Sequence, residues 1–118
     1  MAQIRNAHPA GATGNVTSPA VTLDGDPDVI ALNFVIEAIG STPTVTFVWQ
    51  GSIDGTTWFP LLYVTDSADT AATTAITKTA VGATPIWPSN NQRRYRFYRC
   101  VTSANTNVTY HSDLIEYD

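Results

Sequence analysis

The chain has 118 residues, enough for one domain with a real core and too few for two. Its net charge of −4 argues against nucleic acid or an anionic membrane surface as a bulk electrostatic partner. A single cysteine, Cys100, excludes an internal disulfide and a thiolate zinc site. Thr, Val and Ala dominate and Lys78 is the only lysine, a mix that favours strands over long helices.

Residues 1–14 are rich in Ala, Gly and Asn and read as a flexible N-terminal arm with little structure of its own. They contain no apolar signal-peptide core, and no run in the chain approaches the length of a membrane span, so synthesis in a cytoplasm is expected. Residues 15–118 read as a single domain. Val16 to Leu23 suits a first strand, with Pro19 placing it at an edge or a kink. Asp24-Gly25-Asp26-Pro27-Asp28 is a turn cluster. Its alternating aspartates hint at calcium, but an EF-hand loop counted from Asp24 would put Val29 and Val35 where it needs Gly and Glu.

From 29 to 39 the sequence VIALNFVIEAI sets Ile30, Leu32, Phe34, Ile36 and Ala38 on one uniformly apolar face, as a strand with one buried side requires. Gly40-Ser41-Thr42-Pro43 reads as a stop. Val45, Phe47 and Trp49 then alternate with polar or smaller residues through 44–53. Asp54-Gly55 is a tight hairpin signal, and Trp58 to Val64 is the return strand. Residues 65–85 read as a long Thr- and Ala-rich loop with a weak strand near Thr73 to Thr79. RRYRFYRCV at 93–101 is a further strand. Ser103 to Asn107 reads as a turn, and Val108 to Tyr117 as the last strand, with a change of face that suggests a bulge. The sum is an all-β antiparallel sandwich of about seven strands, jelly-roll or Ig-like, carrying an extended arm.

Nothing in the pattern argues for catalysis: there is no nucleophile elbow, phosphate loop or HExxH, and Cys100 has no evident activating base. No cofactor or metal is expected. Trp49 belongs to the core by its face, and Trp58 reads as packing over the hairpin or against a neighbouring sheet, with core packing the first reading for both. Trp87, in a loop between Ile86 and Pro88, is equally a core residue or an interface anchor. Arg93, Arg94, Arg96 and Arg99 put four of the six cations within seven positions of an acidic chain. They read as the charged face of an edge strand, as phosphate contacts, or as partners for an acidic neighbouring subunit.

The stretch QGSIDGTTWFPL with RRYRFYRCV downstream resembles a hairpin-and-strand pattern of galactose-binding-like and discoidin-like sandwiches. A similar pattern recurs in small β-sandwich structural proteins of tailed bacteriophage virions. The match covers about a third of the chain, and hairpin geometry alone accounts for Ser52, Asp54, Gly55 and Trp58. The virion resemblance implies a capsid decoration (cement) protein on the capsid surface. Its expected partner is the major capsid protein, and its own assembly a homo-oligomer, a trimer by preference. Neither nucleic acid nor membrane is an expected partner. The interface candidates are Ile4 and Arg5 on the arm, Trp87 in the loop, and Arg94, Arg96 and Tyr98 on the arginine strand. The other readings are a carbohydrate-binding module using Trp87, Tyr63 or Tyr98, and a tail, neck or fibre component.

Overall fold

Period-two alternation of apolar residues is the dominant rhythm of the sequence, and the fold follows it. The computed structural model describes residues 3–23, 29–61, 63–64, 71–73, 75–87 and 95–117. Its elements are β1 (Gln3–Ala12), β2 (Val21–Thr22), β3 (Val29–Ser52), β4 (Phe59–Pro60), β5 (Tyr63–Val64), β6 (Ala71–Thr73), β7 (Ala75–Lys78), β8 (Gly82–Ile86) and β9 (Phe97–Tyr117). No helix occurs among the described residues. All pairings are antiparallel, and seven of the strands form one sheet in which β9 lies between β1 and β3. The two remaining strands, β5 and β6, pair with each other.

Strands β3 and β9 are long because the expected stops at 40–43 and 103–107 are corners. The ladder between them runs from Val29↔Tyr117 to Ser52↔Phe97, with register shifts between Ile36 and Thr46. Straight, the 24 residues of β3 would reach about 80 Å. The whole molecule measures 41 Å along its longest axis, so β3 turns back on itself. Both strands turn at the same level, which keeps their pairing intact on either side. Thr42, Ala104 and Asn107 take positive φ values of 48°, 52° and 56° to make the corner. Gly40 leaves the space that Asn107 fills, since a Cβ there would meet the Asn107 Cβ at 3.1 Å. Asn107 Nδ2 donates to Ser41 O (2.6 Å), and Asn105 Nδ2 donates to Thr13 O (2.8 Å), tying the corner together.

The corner divides the sheet into two limbs. The first holds β1, residues 108–117 of β9, residues 29–39 of β3, and β8. The second holds β2, residues 97–103 of β9, residues 44–52 of β3, β7 and β4. Their inner faces meet: the Phe34 ring of the first limb stacks on Phe47 of the second at 4.1 Å, and Tyr110 stacks on Phe34 at 5.1 Å. Leu32, Ile36, Val45, Trp49, Cys100 and Leu114 belong to the same core.

Three expectations are corrected. Within the segment expected to be an arm with little structure of its own, Gln3 to Ala12 form an edge strand on β9, and His8 is buried within it. Val108 to Tyr117 does not change face: Val108, Tyr110, Ser112, Leu114 and Glu116 all point inward. Polar Ser112 and Glu116 are tolerated there because β1 brings them partners, and the irregular register lies in β1. The Asp54-Gly55 turn is a wider loop, with β3 ending at Ser52 and β4 starting at Phe59; only Gly55 has positive φ (80°). The Asp54 carboxylate organises that loop by accepting from Thr56 N (2.8 Å) and Thr57 N (2.9 Å). The weak strand expected near Thr73 to Thr79 is present as β7, and β6 and β8 order further parts of the expected 65–85 loop. The aspartate cluster 24–28 lies outside the described residues.

Candidate interaction surface

Outside the corner, alternation along β9 sends even-numbered residues inward and odd-numbered residues outward, so each set has its own chemistry. The inner set carries an arrangement that resembles a nucleophile and a base. His8 Nε2 donates to Val16 O at 2.8 Å, which leaves Nδ1 to accept from the Ser112 hydroxyl at 2.8 Å. Ser112 Oγ accepts from His8 N (3.0 Å) and also meets the Cys100 thiol. Tyr110 lies edge-on to the imidazole and donates its hydroxyl to Gly14 O at 2.7 Å. Thr102 Oγ1 contacts the Tyr110 hydroxyl at 2.7 Å and accepts from Val16 N at 2.9 Å.

This network is closed to substrate: His8 is 1 % exposed and Ser112 and Cys100 are 0 % exposed. Burial holds the His8 pKa below its ordinary value, against the smaller opposing effect of the Val16 carbonyl. Burial pushes the Cys100 thiol far up, so it stays protonated and inert. Every group is neutral and most are paired, as a polar cluster inside a small core must be. The cluster fastens β1 and residues 14–18 to β9.

The outer face of the first limb is different at its two ends. At the corner end, His111 Nδ1 lies 3.2 Å from Glu37 Oε2, and His111 Nε2 lies 3.6 Å from Asp113 Oδ2. Gly11 N donates to Glu37 Oε2 at 2.9 Å and, with His111, holds that carboxyl below its usual range. Burial pushes Asp113 up, against the pull of His111. No group of His, Cys, Asp and Glu among the described residues is arranged to hold a metal ion. Beside it at the corner is a shallow hollow of about 390 Å³, lined by uncharged residues such as Thr13, Ile39, Asn107 and Thr109.

At the far end the outer face is hydrocarbon. Ile4 pairs with Ile115, which pairs with Ala31, forming one row across three strands. The β3–β8 register (Leu32↔Ile86) carries Trp87 to the level of Ala31 at the end of that row. Val29 and Tyr117 pair in the next row. Ile4 (66 % exposed), Trp87 (49 %), Val29 (45 %) and Tyr117 (43 %) stand open, whereas Ala31 among them is 3 % exposed and outside the core cluster. Four of the molecule's exposed large hydrophobic residues thus converge on one edge of one face.

The second limb's outer face carries a cation. Trp49 and Cys100 point into the core, so their neighbours Gln50 and Arg99, paired in register, point out. Arg99 Nε donates to Gln50 Oε1 at 2.6 Å, and its guanidinium carbon sits 4.3 Å from the centre of the Trp58 ring.

Of the residues singled out from sequence, Ile4 and Trp87 come together on the apolar end. Arg5 lies on the inner face, donating Nε to Glu116 Oε2 at 2.9 Å beneath the sheet edge. Tyr98 is corrected from surface to core: it is 1 % exposed, and its hydroxyl accepts from Tyr95 N at 3.0 Å. Arg96 is exposed, and its carbonyl accepts from Leu23 N. Arg94, with Arg93, lies outside the described residues. Sequence reading missed Val29, Ile115 and Tyr117, whose signal was their place in the outward, mixed set of each strand. It also missed that Gln50 and Trp58 would meet Arg99, which needs the β3–β9 register. Comparison with known proteins returns no matching family and no matching curated protein.

Proposed function

We propose that this protein is a structural binding module, a virion component of the capsid decoration (cement) type, which adheres to the shell's major capsid protein and stabilises it. The observation that carries this reading is the apolar edge formed by Ile4, Val29, Trp87 and Tyr117. Removing such side chains from water against a partner is worth roughly 25 cal/mol per Å² of apolar area. Exposed clusters of this kind mark protein contacts. The sealing of the Ser112–His8 pair inside the core supports adhesion over catalysis as the role.

In this reading the two limbs form a small antiparallel β-sandwich, a reading supported by the Phe34–Phe47 stack across the corner. A rigid body of that kind presents its outer faces at fixed geometry. Repetition over a shell then turns modest single contacts into firm attachment, because neighbouring sites raise one another's effective concentration. Assembly as a trimer belongs to the same proposal. The N-terminal segment contributes as an edge strand that carries Ile4.

Co-sedimentation of the purified protein with purified phage heads tests the proposal. Saturable occupancy at a fixed ratio to the major capsid protein is expected. Protein that remains in the supernatant at every concentration would overturn it.

A further inference from the structure

We infer that Arg99 is a prepared receptor for a carboxylate presented by an acidic, partly apolar segment of a partner protein. The site lies on the limb opposite the apolar edge and stands independently of any role on a viral shell. Three fixed features build it. Arg99 Nε is occupied by Gln50 Oε1 at 2.6 Å, which sets the plane of the guanidinium. Its guanidinium carbon lies over the Trp58 ring, 4.3 Å from the centre, which restricts rotamer freedom and adds cation–π attraction. The side chain makes no ion pair with a carboxylate among the described residues.

A guanidinium with its Nε engaged still offers its two terminal nitrogens, a fork that matches the oxygens of a carboxylate or a phosphate. Ordering such a side chain in advance lowers the entropy lost on binding. Gln50 is the second positioning residue, and it is itself fixed because β3 runs between β9 and β4 at this level (Gln50↔Arg99, Gln50↔Pro60). The surroundings choose between the two oxyanions. Ile53 (72 % exposed) and Phe59 (47 %) flank the Trp58 segment in the chain, a setting that fits a peptide bearing apolar side chains beside its acid. A nucleic acid would bring a continuous row of phosphates to a molecule of net charge −4, which opposes it.

The test uses the full-length ¹⁵N-labelled protein at low salt. The probe is a blocked pentapeptide alternating leucine and glutamate, with the glutamine analogue as its neutral counterpart. The Arg99 Nε–Hε and Trp58 indole resonances should shift saturably with the glutamate peptide and bind the glutamine peptide about tenfold more weakly. Arg99→Lys, which keeps the charge and loses the fork, should weaken the glutamate peptide about tenfold while the backbone amide spectrum stays dispersed. Gln50→Ala should weaken it by a smaller factor. An equal response to both peptides would overturn the inference, as would silence at millimolar peptide or unaltered affinity in Arg99→Lys. Displacement of the glutamate peptide by short duplex DNA would assign the fork to phosphate instead and overturn it equally.

Discussion

The two limbs are built alike inside and differ outside. Each turns a bulky apolar row inward: Ile30, Leu32, Phe34 and Ile36 in the first, Val45, Phe47 and Trp49 in the second. Outside, the first limb ends in uncovered hydrocarbon around Ile4 and Trp87, and the second presents Arg99 on Trp58. The inner residues must fill one shared volume, so their identities are constrained by packing. The outer residues answer to no such constraint, and there the limbs diverge.

The sharpest way to break the likeness of the inner faces is at their contact. Phe47→Ala removes the ring that stacks on Phe34 and should cost about 3 to 5 kcal/mol, read as a lower urea midpoint. A loss near that of an exposed residue would mean that the limbs do not rest on each other. Next in size is Gly51→Ala. A Cβ at that position collides with the Tyr95 ring, which packs between Phe59 and Tyr98. Displacing the ring should cost roughly 1 to 3 kcal/mol. Wild-type stability in Gly51→Ala would contradict that placement of Tyr95.

A third experiment separates the limbs by pH. His8 titrates near 6.5 when unfolded and lower when folded. Between those values the unfolded chain holds more protons, so stability rises with pH. The contribution is complete above pH 6.5 and is lost as pH falls through the depressed folded value. His8→Gln should flatten this part of the stability curve. An unchanged slope would place the acid sensitivity elsewhere. Because His8 joins β1 to β9, amide exchange should quicken first in the first limb on mild acidification. The smallest stability effect belongs to the outer faces: Trp87→Ser and Ile4→Ser should each stay within about 0.5 kcal/mol of wild type in thermal unfolding.

The legible parts of the molecule were those where one residue's neighbours two positions away decide its fate. The inward rows of β3 and the core position of Trp49 followed from alternation alone. What escaped needed long-range pairing. Gly40 to Pro43 and Ser103 to Asn107 carry ordinary turn chemistry, and only their coincidence in register makes them one corner that the ladder crosses. His8 read as part of an arm because its partners, Ser112 and Val16, lie far along the chain or past a run of small residues. Tyr98 read as a surface residue because arginines surround it in sequence, although alternation with Cys100 turns it inward. The apolar edge was half visible, in Ile4 and Trp87. Its other half required knowing that Val29 and Tyr117 pair at the same end of the sheet.

The claim on which the account turns is that adhesion resides in the apolar edge of the first limb and not in the fold that supports it. Co-sedimentation of the Ile4→Ser/Trp87→Ser double variant with purified heads addresses it directly. A folded protein whose occupancy of the shell falls about tenfold or more is expected. A folded double variant that fills the shell as wild type does would contradict it.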